Sequence, residues 1–163
     1  MSNRILQSSS VTPGHLVVWT TDEVVGDAGP TILLNTVGLF QASITKVNFN
    51  LAGFDNQILI NLPLGYTRWR CDQIIISGAS MQLSSAACGV FTAPVQGGVA
   101  IVTAGTAVTV TSGAADINNN AQSLTINNQD TMVFSDTAIY FQLQTAQGAA
   151  ATANVSVFYE PLP

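Results

Sequence analysis

From residue 38 onward the apolar positions recur with the period of a β-strand. In residues 139–143, Ile139, Phe141 and Leu143 fall on one side, with Tyr140, Gln142 and then Gln144 on the other. In residues 153–159, Ala153, Val155, Val157 and Tyr159 share a face opposite Asn154, Ser156 and Phe158. Successive side chains of a strand point to opposite faces, so this pattern predicts two half-buried strands with the apolar sets inward. Less regular runs predict further strands at 44–49, 57–62, 69–77, 86–92, 99–102 and 107–111, and a short one around Leu124 and Ile126. The triple Ile74-Ile75-Ile76 fits a strand covered on both faces. Turn residues separate the runs: Gly53-Phe54-Asp55-Asn56, Pro63 and Gly65, Gln96-Gly97-Gly98, Asn118-Asn119-Asn120, and Gln147-Gly148. No window sustains an apolar stripe at helical spacing over three turns. About eight strands at intervals of roughly 8–12 residues predict an all-β chain, an antiparallel β-sandwich of the jelly-roll kind. An immunoglobulin-like sandwich is the near alternative.

Residues 1–37 read differently. Pro13-Gly14, Gly26 and Gly29-Pro30 crowd the turn signals together, leaving only short apolar pieces at 16–19 and 24–25. Such pieces are too short to form a core, and they suit an extended N-terminal arm that pairs with something else. The expected organisation is an attachment arm, 1–37, followed by a sandwich domain, 38–163. An arm of this length reaches roughly 100 Å when fully stretched.

Composition narrows the function classes. The chain has four Lys and Arg against nine Asp and Glu, so 8% of its residues are charged where an ordinary domain has roughly 25%. A hydrophobic fraction of 47% argues against intrinsic disorder. A net charge of −5 argues against a nucleic-acid partner, since phosphate binding needs clustered Lys and Arg. Ser, Thr, Asn and Gln break every apolar run below the length of a membrane span, and the first residues show no secretory signal. The two cysteines, Cys71 and Cys88, lack metal-ligand or redox spacing, and two free thiols in the core are expected.

Catalytic constellations are not apparent. A Ser-His-Asp arrangement would have to use the single histidine, His15, which lies among turn residues of the arm. Residues 116–120 begin like a calcium loop, but Ala121 and Asn127 stand where Gly and Glu are needed. No phosphate-binding loop occurs. The expectation is therefore no catalytic residue, no metal and no cofactor. Arg68-Trp69-Arg70 is the one basic cluster with an aromatic. Alternation puts both arginines on one face, where Arg suits inter-subunit ion pairing.

One resemblance covers most of the chain. Val11-Thr12-Pro13-Gly14-His15-Leu16-Val17-Val18-Trp19-Thr20, followed by Gly26-Asp27-Ala28-Gly29, resembles N-terminal stretches of tailed-bacteriophage virion proteins, on small head-associated proteins and on fibres. Gly89-Val90-Phe91-Thr92-Ala93, Gly97-Gly98-Val99-Ala100-Ile101-Val102, Asn118-Asn119-Asn120-Ala121-Gln122-Ser123, Tyr140-Phe141 and residues 146–153 resemble small phage and prophage structural proteins encoded among head genes. The resemblance implies a non-enzymatic decoration or cement protein of the capsid. Its partners would be the major capsid protein and further copies of itself, as a homotrimer. Its place would be the virion surface, after assembly in the bacterial cytoplasm. The low charge agrees, because obligate interfaces have apolar, charge-poor cores. Candidate interface residues are His15, Leu16, Val18, Trp19, Asp27, Arg68 and Arg70. The alternative is a virion-anchored adhesion or fibre module that binds a host receptor or glycan. A glycan-degrading enzyme is a distant third.

Overall fold

A computed structural model describes residues 17–19, 25–27, 39–110, 120–128 and 132–163. The chain divides into two units, Met1–Gly38 and Leu39–Pro163. In the first, β1 (Val17–Trp19) and β2 (Val25–Asp27) pair antiparallel, with Val18 opposite Gly26. The two short apolar pieces of the arm thus pair with one another. Beyond these strands, the expectation of an extended arm falls outside the described residues.

The second unit holds β3 (Phe40–Asn48), β4 (Asp55–Leu59), β5 (Arg68–Ser77), β6 (Ala87–Ala93), β7 (Gly97–Ala107), β8 (Ala121–Leu124), β9 (Ala138–Thr145) and β10 (Thr152–Leu162). Among the described residues there is no helix. The pairings are nested: β3 with β10, β4 with β9, β5 with β8 and β6 with β7. That nesting is one long hairpin. Folding it across itself adds the pairs β10–β5 and β9–β6 and gives two four-stranded sheets, β3-β10-β5-β8 and β4-β9-β6-β7. Two sheets wound in this order form a jelly-roll sandwich.

Alternation builds the core. Ile139, Phe141 and Leu143 from one sheet meet Val155, Val157 and Tyr159 from the other, all buried. The β5 pattern is interrupted: Cys71 lies opposite Tyr159 but Gln73 opposite Phe158, so Asp72 is an extra, bulged residue. The bulge shifts the phase, so that Trp69 and Cys71 point inward before it and Ile74 and Ile76 after it. Ile75 is only half-buried, so the isoleucine triple belongs to a strand with one core face and one outer face. Trp69 anchors one end of the core. Its ring lies 4.8 Å from Phe134 and 5.8 Å from Tyr159, and its Nε1–H donates to the Asp136 carbonyl at 2.8 Å.

The expected separate strand at 107–111 is absent from the described part of that run. Ala107 ends β7; Val108 and Val110 still alternate inward, but their backbone leaves the ladder. The Val108 N–H donates to the Ala86 carbonyl, and the Val110 carbonyl accepts from Leu83 N–H. The Gln122 side chain satisfies the backbone between them, accepting from Thr109 N–H and donating to the Ala107 carbonyl. Period-2 alternation reports burial, not the identity of the pairing partner, so the run at 107–111 reads as a strand although its described residues after Ala107 lie outside the ladder, while the expected total of about eight strands matches the eight of the sandwich. Similarly, β8 stops at Leu124, and Ile126 packs against the core from the following loop.

Both cysteines are free and buried, Cys71 on β5 and Cys88 on β6. Burial pushes each thiol up to about 12, and the Asp72 carboxylate adds to the effect at Cys71. A folded-state pKa above the unfolded one means that the fold keeps its proton longer. Stability is therefore fully present below about pH 9, the ordinary thiol value, and is lost as pH rises from there toward about 12. The expected loss is about 1.4 kcal/mol per pH unit for each thiol. Burial raises the Tyr159 hydroxyl as well and acts in the same direction. Urea titrations between pH 8.5 and 11 measure the slope. A Cys71→Ala/Cys88→Ala protein should lose most of it; an unchanged slope would mean the thiols are not its source.

Candidate interaction surfaces

The outer face of the β3-β10-β5-β8 sheet is mostly neutral. Ser43, Ser156, Ile75 and Ser123 form one cross-strand row, and Gln41, Phe158 and Gln73 another. Gln41 donates to Ser156 Oγ at 3.2 Å and Gln73 to Ser123 Oγ at 3.3 Å. Charge collects at one corner. Arg68 and Arg70 project from the same outer side of β5, as alternation predicts. Arg68 donates through Nε and Nη2 to the Pro163 carbonyl, and Arg70 pairs with Glu160 at 2.6 Å. Both expected interface arginines thus already have partners within their own chain. The Arg70–Glu160 pair is more than a third exposed and contributes little to stability.

The outer face of the other sheet has a built feature. Strands β6, β7 and β9 carry no charged side chain, and the single carboxylate among the neighbouring β4 residues, Asp55, is spent on structure. Asp55 Oδ1 accepts from Gln142 Nε2 at 2.9 Å, and Asp55 Oδ2 accepts from the Val95 N–H at 2.8 Å. The β6–β7 turn is thereby tied back toward β4. In that turn the Gly97 N–H donates to the Pro94 carbonyl, and Val95 and Gln96 both have positive φ, 56° and 58°. Two left-handed residues suit a tight hairpin, but a β-branched side chain is strained there. Val95 is nonetheless 80% exposed. On β6, opposite Gln142, Gly89 leaves room for the Phe91 ring, whose atoms would lie 2.8–2.9 Å from a Cβ at that position. Phe91 and Gln142 are consequently buried although they point away from the main core. The Gln142 Oε1 acceptor and the Gln144 Nε2 donor, two residues apart on that face, have no hydrogen-bond partner among the described residues.

Exposed apolar side chains cluster by connection. Leu59 and Leu64 belong to the β4–β5 region, Val95 to the β6–β7 turn and Val133 to the β8–β9 connection; Leu64 is 92% exposed. A cleft of about 530 Å³ runs between Leu59, Leu62, Tyr66 and Thr137. Leu51 and Phe54 are exposed on the β3–β4 connection.

Of the residues expected at an interface, His15 and Leu16 lie outside the described residues. Val18, Trp19 and Asp27 are placed by backbone alone, Val18 and Trp19 on β1 and Asp27 on β2. The region resembling a calcium loop also falls largely outside. Among the described residues, no three His, Cys, Asp or Glu side chains gather as a metal site. Sequence reasoning passed over Asp55 and Gln142. The only signal at Asp55 was its place within the turn-prone run Gly53-Phe54-Asp55-Asn56, and Gln142 read as an ordinary outward residue.

Fold and surfaces together define a jelly-roll unit with neutral outer faces and apolar connections. Comparison with known proteins found no family model that matches the chain and no match among curated proteins.

Proposed function

We propose that this chain is a non-enzymatic structural protein of a tailed-bacteriophage virion, which decorates or cements the capsid shell by bridging capsid subunits. The observation that carries this reading is the absence of charged residues from four of the eight sandwich strands, β6, β7, β8 and β9. A freely soluble surface of this size normally carries mixed charges, whereas surfaces that become interface cores are charge-depleted. The jelly roll is also a fold used by viral capsid domains, a fold-level analogy that adds weight but no mechanism. In this reading the major capsid protein is the partner, and the protein acts as a homo-oligomer, a trimer. Neutral faces also remove the repulsion that would oppose packing many copies on one shell.

The test is co-sedimentation of purified protein with expanded phage shells, beside light scattering of the protein alone. Saturable pelleting and a trimer mass are expected. A monomer at micromolar concentration that stays in the supernatant would overturn the proposal. Binding to intact host cells without binding to shells would transfer support to the adhesion reading.

A further inference from the structure

The two seams between the sheets are finished differently. At one, the long uncharged β7 edge is covered by two side-chain amides and a backbone N–H. Asn127 Nδ2 donates to the Ala100 carbonyl, Asn127 N–H to the Ile101 carbonyl, and Gln122 Nε2 to the Ala107 carbonyl. An uncharged edge left bare invites pairing with another chain, and these amides cap it. At the other seam, β3 and β4 are both edge strands. Among the described residues, no amide spans them. A groove of about 220 Å³ lies there instead, walled by Ile44, Val47, Leu51 and Phe54.

Lys46 stands over this groove on a bulge. Val47 pairs with Ala153 and Ile44 with Val155, so Thr45 and Lys46 together face Asn154. The Lys46 N–H donates to Asn154 Oδ1 at 3.0 Å, and Lys46 is held at φ 54°. A left-handed conformation at a non-glycine residue carries strain, and a bulge re-aims a side chain. No carboxylate among the described residues pairs with the Lys46 ammonium, whereas Arg68 and Arg70 are both engaged.

We propose that the β3–β4 seam is a docking site for an extended acidic segment of another polypeptide, added along the β3 edge. Its apolar side chains lie against Leu51 and Phe54, and its carboxylate meets Lys46. Main-chain hydrogen bonds supply affinity in this mode, and the pocket with its charge supplies selectivity. The occupant is acidic because, among the described residues, Lys46 is the one charged side chain that lines the groove, Asp55 of β4 being turned to Gln142 and Val95; a basic strand would meet Lys46 with repulsion. The site is independent of the capsid reading: shell binding could fail while the peptide binds, and the reverse.

The experiment uses the full chain and two fluorescein-labelled peptides, Thr-Val-Asp-Val-Glu-Val-Thr and Thr-Val-Lys-Val-Lys-Val-Thr, followed by anisotropy at low salt. The acidic peptide should bind and the basic one should not. Lys46→Glu should weaken the acidic peptide by about tenfold or more and admit the basic one. Lys46 is exposed, so its replacement should leave the thermal midpoint unchanged. Should that variant fail to fold, Phe54→Ser tests the apolar wall and should also reduce binding. No binding by the acidic peptide at millimolar concentration, or equal binding of both peptides, would overturn the proposal.

Discussion

Replacing Trp69 with alanine should destabilise the sandwich by about 3–5 kcal/mol, the usual cost of emptying a large aromatic site. The indole is fully buried and fills the space between Phe134 on one connection and Tyr159 on β10. Its loss also leaves the Asp136 carbonyl without the indole N–H, which costs about 1–3 kcal/mol if water does not replace it. The backbone bridge between Trp69 and Phe134, at 2.9 and 2.8 Å, ties the β8–β9 connection to β5 and depends on the same packing. Trp69→Phe keeps most of the apolar contact and should cost well under half as much. Urea denaturation with a constant m-value checks both. A Trp69→Ala change below about 1 kcal/mol would mean that this end of the core is not close-packed.

Removal of residues 1–38 should abolish shell attachment while leaving the thermal midpoint of the sandwich near that of the full chain. The second unit, Leu39–Pro163, holds every member of the buried cluster found among the described residues, from Ala42 to Tyr159, and all of them remain after the truncation. The removed segment contains Trp19 and the acids Asp22, Glu23 and Asp27. In the proposed function it is the anchor, with buried aromatics dominating the contact. The expected result is a fall of at least about 100-fold in apparent affinity for shells, the equivalent of roughly 2.7 kcal/mol. Truncated protein that still saturates the shells would assign attachment to the sandwich surfaces instead.

Much of the sandwich was legible because alternation records which face of a strand is buried. Ile139, Phe141 and Leu143, and Ala153 through Tyr159, lie inward as their spacing implies. The jelly-roll winding itself is a matter of which strands pair, and nothing local in the sequence encodes β3 against β10 across more than a hundred residues. Irregular positions were the hidden ones. The bulge at Asp72 reverses the phase within β5, and Lys46 and Val95 adopt positive φ without the glycine that usually announces it. The surfaces were the least legible. Asp55 and Gln142 derive their roles from a turn some 40 residues away from one and some 50 from the other, which folds back over them. Arg68 and Arg70 were correctly placed on one face, but their partners, Pro163 and Glu160, come from the chain's last strand and end.

The capsid reading is tested most directly by a cryo-electron reconstruction of expanded shells incubated with the purified protein. It predicts added density at symmetry-related sites on the outer surface, into which a β-sandwich trimer fits, with density from each copy reaching the shell. Shells whose surface is unchanged at saturating protein would contradict the account.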